Sequence, residues 1–596
     1  MIDWIKSAIL NKKIAIAALL IAVGIVYSNS LISGFVLDDR DTVINKSAFF
    51  SHPENTFSAF AQRDTTNNAA TPYYRPLNTL TYMLDHYLWG LNPLWYHLED
   101  VLLHALVVVF FYLLVARVFE DELLAFFSAL LFAVYPVCAE AVNFISARNT
   151  LLCALFLMAS LLALSRKGAK WTALSLAAYF LALLSKEPAV VEPFFLLTFT
   201  LFSRDEKRFR VGWKTFAGFF VITAVYFLIR QAVLGVFASN QSLEFSVERL
   251  KFMSAVLFEN FHMMLWPFSL NAYYSMLDVF FTPLRAVIAV SGLAALLYLS
   301  VGRRTSGPVR AGAQWIVWGL LPVSNIVMIP SAPVAERYQY TILFGFVLIL
   351  GYAIAALYRR RALPAMLLLA LLVIALGART FQRNFDWRGN LSIYRSMVRS
   401  DPGNPTAHYY LARSLYDAGR FDESAGQFQA ALARQPDYPE ASDGLGLAYM
   451  KTGDLEGAVR EFRAAVSFDS DFYTARIHLG VALAGLDRLE DAAREFRGAA
   501  ELNPQRSDAH LNLAITRLRQ GLTEEASREF VKVLALDPGN VTAHNDLGVI
   551  YFRQGRYADA RREFETVLSI DPGNAIAARD LPLVKPAGGS PTPGGN

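Results

Sequence analysis

From residue 404 to residue 573 the sequence repeats itself every 34 residues, and that period restricts the fold more than anything else in the chain. Ala407, Ala441, Ala475, Ala509 and Ala543 recur in step, as do Leu411, Leu445, Leu479, Leu513 and Leu547. Later in each unit stands an aromatic: Phe428, Phe462, Phe496, Phe530 and Phe564. Gly419, Gly453, Gly521 and Gly555 mark a turn between two helices, with Asp487 in the glycine's place in the third unit. Pro436, Pro504, Pro538 and Pro572 close four of the units, and Ser470 stands there in the other. Small residues let paired helices approach, and each aromatic fills the space between pairs. A single unit cannot cover its own apolar face, so the stable object is the stack.

Thirty-four residues is the length of the tetratricopeptide repeat, which predicts a solenoid of five helix pairs over 404–573. Upstream, "DWRGNLSIYRSMVRSDPG" (386–403) matches a second helix alone, with Tyr394 at the aromatic position. Residues 381–403 thus read as a connecting half-repeat. Residues 574–596 read as a partial helix and a tail whose "KPAGGSPTPGGN" has the composition of disorder.

Everything before the repeats reads differently. At 596 residues the chain needs more than one domain, and 54% apolar residues point to a membrane rather than a large soluble enzyme. A net charge of +4 is small for this length and gives no basis for a nucleic-acid partner. Cys138 and Cys153 lie in apolar text and match no metal-ligand spacing. The apolar segments are 14–36, 97–116, 123–136, 150–165, 171–185, 188–203, 215–235, 282–301, 313–329, 338–357 and 363–380, some of them shorter than the ~20 residues of a bilayer crossing. The first reads as a retained anchor, because "SGFVLDDRD" follows it without a small-residue cleavage site. The fold class expected is all-α: a polytopic membrane domain of about eleven spans over 1–380, then the repeat solenoid.

Loop charges orient this domain. With the N-terminus inside, Lys12–Lys13, Arg117, Arg166–Lys167–Lys170, "RDEKRFR" (204–210), Arg303–Arg304–Arg310 and Arg359–Arg360–Arg361 all fall in cytoplasmic loops. Residues 252–268 are apolar but carry Glu259 and His262; counting them as a span would invert every later loop, so a re-entrant or interfacial helix is expected. The repeats then lie on the side away from the cytoplasm. So does the long loop 38–96, whose "TPYYRPLNTLTYMLDHYLWGLNPLWYHLED" predicts an amphipathic helix at the interface.

Charged residues near a membrane are costly and mark function by default. On the outer side stand Asp38, Asp39 and Asp41, then Glu140 and Arg148, Lys186 and Glu187, and Glu336, Arg337 and Tyr338; His104 lies inside the second span. Any one of these reads equally as a snorkelling or paired side chain. Gathered on one face, three bases and several acids could hold a phosphate beside a catalytic carboxylate.

In these same stretches the sequence resembles the transmembrane and tetratricopeptide repeat-containing glycosyltransferases, within the wider GT-C class of polyprenyl-phosphate-sugar-dependent enzymes. The strings that carry it are "FVLDDRDTVINK", "YRPLNTLTYMLDHYLWGLNPLWYHLEDVLLHAL", "LFAVYPVCAEAVNFISARNTLLCALFLMASLLAL", "LLSKEPAVV", "WPFSLNAYYS" and "AERYQYTILFG", in order from about 35 to 346, with the repeats after them. Tyr135 stands where the family usually has histidine, and five repeats are fewer than animal members carry. The resemblance implies attack by an acceptor hydroxyl on the anomeric carbon of a hexose, plausibly mannose, displacing a polyprenyl phosphate. It places an acid just past the first span, at Asp38 and Asp39, with Asp39 the preferred base. Arg75, Arg148, Lys186 and Arg337 are the candidate phosphate-binding cations.

The same resemblance leaves open a divalent metal, with Asp38 and Asp39 as candidate ligands; no cofactor is certain. The partners implied are the polyprenyl-phosphate sugar, a protein or peptide acceptor in the repeat groove, and the bilayer. A glycan- or lipopolysaccharide-assembly transferase and a non-catalytic scaffold are the alternatives. The short array, with no endoplasmic-reticulum retention signal after it, favours a bacterial inner membrane with the repeats in the periplasm over the endoplasmic-reticulum lumen.

Overall fold

The computed structural model describes residues 10–61, 73–202, 211–235, 246–272, 274, 281–326 and 333–584. The basic run 204–210 and the tail 585–596 lie outside the described residues. The chain divides into two compact units, Met1–Pro402 and Gly403–Asn596. Among the described residues there is no strand, only a lone bridge between Tyr274 and Val334.

The first unit is a helical bundle. Its helices are α1 (Lys12–Val26), α2 (Pro76–Trp89), α3 (Pro93–Phe119), α4 (Glu122–Ala133), α5 (Cys138–Asn143), α6 (Arg148–Leu164), α7 (Ala169–Ser185), α8 (Glu192–Phe202), α9 (Trp213–Leu234), α10 (Val247–Leu265), α11 (Pro283–Val301), α12 (Gly307–Leu320), α13 (Glu336–Arg360), α14 (Ala362–Asp386) and α15 (Asn390–Ser400). Short helical turns between residues 28 and 61 are left unnumbered. Each apolar segment read from the sequence falls largely on a helix. Six stretches among the described residues are long and apolar enough to cross a membrane: α3, Ile145–Leu164, α9, α11, α13 and α14. α4 and α7 are apolar but shorter. The 14–36 segment is not one continuous helix: α1 ends at Val26 and a 3-10 turn, Ser28–Ile32, follows. The segment at 252–268 is the helix α10, which is not among the six and whose Glu259 pairs with Arg285.

Apolar side chains point both inward and outward, as a bilayer requires. Phe111, Phe127, Phe132, Leu343 and Phe344 are buried at the centre of the bundle. Ile21 and Ile25 on α1, Val287 and Val290 on α11, and Leu367, Leu371 and Ile374 on α14 are exposed. A water-soluble monomer rarely exposes patches of that size; lipid would cover them. α12 and α13 cross so closely that a methyl group on Gly345 would clash with the Gly312 carbonyl, a spacing only small residues allow.

Among the described residues the second unit is five helix pairs, from Pro405–Asp417 and Phe421–Arg434 to Val541–Arg553 and Tyr557–Ile570, followed by the short helix Ala575–Asp580. All five periodic alanines and all five phenylalanines are buried. The inter-helix turns need a left-handed residue, and Gly419, Gly453, Gly521 and Gly555 supply it with φ of 73°, 91°, 77° and 74°. Asp487 holds the same conformation at φ 58°, the cost of which an L-residue normally avoids. The first helices of the first four repeats pack on one another in succession, which lines them along one face of the stack.

Candidate functional site

The loop after α1 turns sharply at Leu37, a non-glycine residue held at φ 48°. It presents two acids with different surroundings. Asp39 is fully buried. Its Oδ2 accepts the Val36 N–H (2.9 Å), and its Oδ1 accepts the Ser146 N–H (2.7 Å) and hydroxyl (2.6 Å). Burial pushes its carboxyl up to about 7, and the Ser146 and Val36 hydrogen bonds pull the other way. Asp38 is exposed and within electrostatic range of both Asp39 and Arg337.

Two of the four cations picked out in the sequence flank the Tyr338 ring, and a third, Arg75, lies within electrostatic range of both Lys186 and Tyr338. Lys186 Nζ lies 5.7 Å and the Arg337 guanidinium 5.3 Å from the ring centroid. Arg75 stacks on Tyr73 at 4.1 Å and donates to Glu187 Oε2 at 2.8 Å. Arg337 donates to Glu140 through both its backbone N–H (2.8 Å) and its guanidinium. Lys186 donates to the Thr150 hydroxyl at 2.6 Å. Burial first, then the positive charges of Arg75 and Arg337, bring its amine down to about 7. Glu187 stays below the ordinary carboxylate range although burial works against it, because Arg75 is its partner. Arg75 and Arg337 keep 16% and 25% of their side chains exposed, so a ligand can reach them.

Arg148 is elsewhere. Its side chain is 0% exposed, donating to Asp100 Oδ1 (2.6 Å), to Asp85 Oδ2 and to the Tyr96 carbonyl (3.0 Å). Its donors thus clamp α2 and α3 to the start of α6, and the geometry does not bring it to the other cations. Glu336 is likewise buried, paired with Arg383 at 2.5 Å. His104 is buried in the bundle, with Nδ1 2.7 Å from the Tyr340 hydroxyl and its ring edge-on to Tyr27.

Several residues here escaped the sequence reading. Ser146, which holds Asp39, is an ordinary serine in "FISARN". Arg383 sits at the end of a span and Asp85 and Asp100 in helical text, so only their partners reveal them. Arg230, near the end of α9, acts electrostatically on Glu187 and adds a fourth positive charge to this region. Among the described residues no three His, Cys, Asp or Glu side chains form a group able to hold a metal ion. The oxygens of Asp39 already accept from N–H and O–H donors, which suits a carboxylate held in place better than a metal ligand.

Fold and site together define the class: a multi-helix membrane protein joined to a tetratricopeptide-repeat domain. The tetratricopeptide repeat family matches residues 378–439, 409–471, 444–507, 477–526 and 511–575. The chain is TMTC-like. It is 25% identical over 474 residues to the mouse protein O-mannosyl-transferase TMTC3, covering 71% of this chain and 51% of that one. To the human protein O-mannosyl-transferase TMTC1 it is 25% identical over 491 residues, covering 70% and 55%. A Caenorhabditis elegans protein O-mannosyl-transferase, F38B6.6, is 24% identical, covering 71% and 63%. The chain therefore spans about half the length of the first two relatives. Among solved structures, the tetratricopeptide protein YrrB covers 31% of this chain and 96% of its own at 20% identity, with a TM-score of 0.29.

Proposed function

We propose that this chain is a GT-C-type membrane glycosyltransferase that moves a hexose, mannose first among them, from a polyprenyl-phosphate donor to hydroxyls of protein acceptors. The observation that carries this is the placement of Lys186 and Arg337 on one tyrosine ring with Arg75 nearby, and of Asp38 within electrostatic range of Arg337. The names of the relatives supply the sugar and the type of acceptor.

In this reading the acceptor hydroxyl attacks the anomeric carbon while its proton passes to Asp38. The bond to the phosphate oxygen breaks, and the cations hold the charge that develops on the departing polyprenyl phosphate. Asp38 takes the base role in place of Asp39, because a buried carboxylate already accepting three hydrogen bonds cannot reach a hydroxyl proton. Asp39 and Ser146 fix the loop, and Arg148 fixes the segment carrying Ser146. A small apolar pocket lined by Cys153, Leu157, Pro188, Phe195 and Trp315 begins two residues from Lys186. It shares Phe195 and Trp315 with a cavity of about 60 Å³ between α3, α6, α8, α12 and α13. These apolar walls suit the first isoprene units of the donor. The reaction would take place on the side away from the cytoplasm, in a bacterial inner membrane, with the repeats guiding the acceptor.

The test is reconstitution of the full chain in nanodiscs with polyprenyl-phosphate-mannose and a protein acceptor, followed by intact mass. Transfer is expected, and Asp38→Asn should lower it about 100-fold or more without changing the thermal unfolding midpoint. No transfer from mannosyl, glucosyl or galactosyl donors, with unchanged envelope glycopeptides in cells lacking the chain, would leave a repeat-based scaffold as the better reading.

A further inference from the structure

The helix that precedes the repeats in the chain, α15, is the last of the first unit, and two of its polar contacts with the rest of that unit lead to groups in the proposed reaction. At its first residue, the Asn390 side-chain carbonyl accepts the Leu37 N–H at 2.8 Å. Leu37 immediately precedes Asp38 and is one of four non-glycine residues with positive φ among the described residues. Beside it, the Arg388 carbonyl accepts the Gly34 N–H at 3.0 Å. At the other contact, the Ser396 hydroxyl accepts from Arg383 Nη1 at 3.0 Å. The same guanidinium holds Glu336 through Nη2 at 2.5 Å, and Glu336 immediately precedes Arg337.

A left-handed leucine costs free energy unless its surroundings fix it. The Asn390 side chain accepts the one backbone donor at that residue. Asn384, at the end of α14, secures the start of the same loop by donating to the Val26 carbonyl (2.8 Å) and to Asn29 Oδ1 (2.9 Å). Nothing in the half-repeat pattern of 386–403 requires an asparagine at 390. Its side chain faces the loop rather than a neighbouring repeat.

We propose that Asn390 is a positioning residue: it holds Leu37 in the left-handed conformation that sets the direction of the chain at Asp38, so α15 sets where the base stands relative to the phosphate-binding arginine. The proposal rests on the reading of Asp38 as the base. It predicts that the repeats cannot be separated from the membrane unit by cutting before residue 390 without loss of turnover.

The experiment uses the full chain in nanodiscs, with hydrogen exchange of the peptide spanning 34–42 and mannosyl transfer measured side by side. Asn390→Ala should speed exchange at Leu37 and lower kcat about 10–100-fold with the donor KM unchanged, since misplacing a reacting group costs turnover rather than binding. Asn390→Asp keeps an acceptor oxygen and should restore both slow exchange and most of kcat. Leu37→Gly, for which a positive φ carries no steric penalty, should recover part of kcat in the Asn390→Ala background. The proposal is overturned if Asn390→Ala leaves either exchange or kcat at the wild-type value, or if Asn390→Asp is as impaired as Asn390→Ala. Should the wild-type chain transfer no sugar, the functional reading fails by itself. The positioning of Leu37 is then decided by exchange alone, with faster exchange in Asn390→Ala and its reversal in Asn390→Asp supporting the hold and unchanged exchange refuting it.

Discussion

The repeat unit and the membrane unit are both all-helical, yet they are held together by opposite means. In the repeats the buried alanines, leucines and phenylalanines return every 34 residues, and each helix touches only near neighbours. Stability is then a sum of similar local terms. In the membrane unit the polar contacts that fix the site join residues far apart in sequence: Asp39 to Ser146, Arg148 to Asp85 and Asp100, Glu140 to Arg337, and Asn390 to Leu37. Lipid can replace water around the apolar faces, so burying apolar area discriminates poorly between arrangements there. Paired charges and hydrogen bonds do the discriminating. The contrast teaches that damage should spread differently: confined in the repeats, shared across helices in the bundle.

The largest expected effect tests this directly. Arg148→Met removes the one cation between Asp85 and Asp100 and leaves two buried carboxylates unpaired, at a cost of about 3–5 kcal/mol. Thermal unfolding of the membrane unit in detergent should drop sharply, with protease access appearing at both α2 and α3. If only one helix loosens, the clamp is weaker than the comparison requires. Phe496→Ala in the third repeat should cost about 3 kcal/mol by opening a cavity. Hydrogen exchange should rise over residues 475–500 while the membrane unit stays protected.

A smaller effect concerns pH. Lys186 titrates in the folded protein near 7, below its ordinary 10.5. Its charged form is therefore disfavoured by the fold; that penalty is complete below pH 7 and is relieved as pH rises towards 10.5. A phosphodiester donor prefers the protonated amine, so donor affinity should fall as pH climbs through about 7, by up to about tenfold per unit. Lys186→Arg, charged throughout, should flatten that profile in a titration of donor binding. A profile unchanged by the substitution would remove Lys186 from the phosphate site. The smallest effect lies at the one irregular turn. Asp487→Gly relieves a left-handed aspartate and should stabilise the repeats by about 0.5 kcal/mol, less whatever its exposed pairing with Arg519 contributes. Thermal unfolding of the repeat unit would read this.

Legibility in the sequence followed the same division. The alanines, leucines and phenylalanines at 34-residue spacing lie where the period puts them, because a repeat's environment repeats with it. Even the exception was visible: Asp487 replaces a glycine and adopts the glycine's backbone. The apolar segments became helices for an equally local reason, since a backbone in hydrocarbon must satisfy its own hydrogen bonds. The first segment breaks after Val26, whose carbonyl accepts from Asn384, a partner that no local pattern announces.

Of the candidate site, the sequence by itself determined which charges are available and which apolar segments they flank. The local rules of helix period, apolar length and loop charge suffice for that. Only the tertiary structure decided which charges meet. It set Lys186 and Arg337 on Tyr338 and Arg75 on Tyr73, buried Arg148 between two aspartates, and gave Asp39 to Ser146 while leaving Asp38 at the surface. Adjacent aspartates are alike in sequence. What separates them is the direction in which a left-handed leucine turns the chain, and residues 107 and 353 positions away hold that turn.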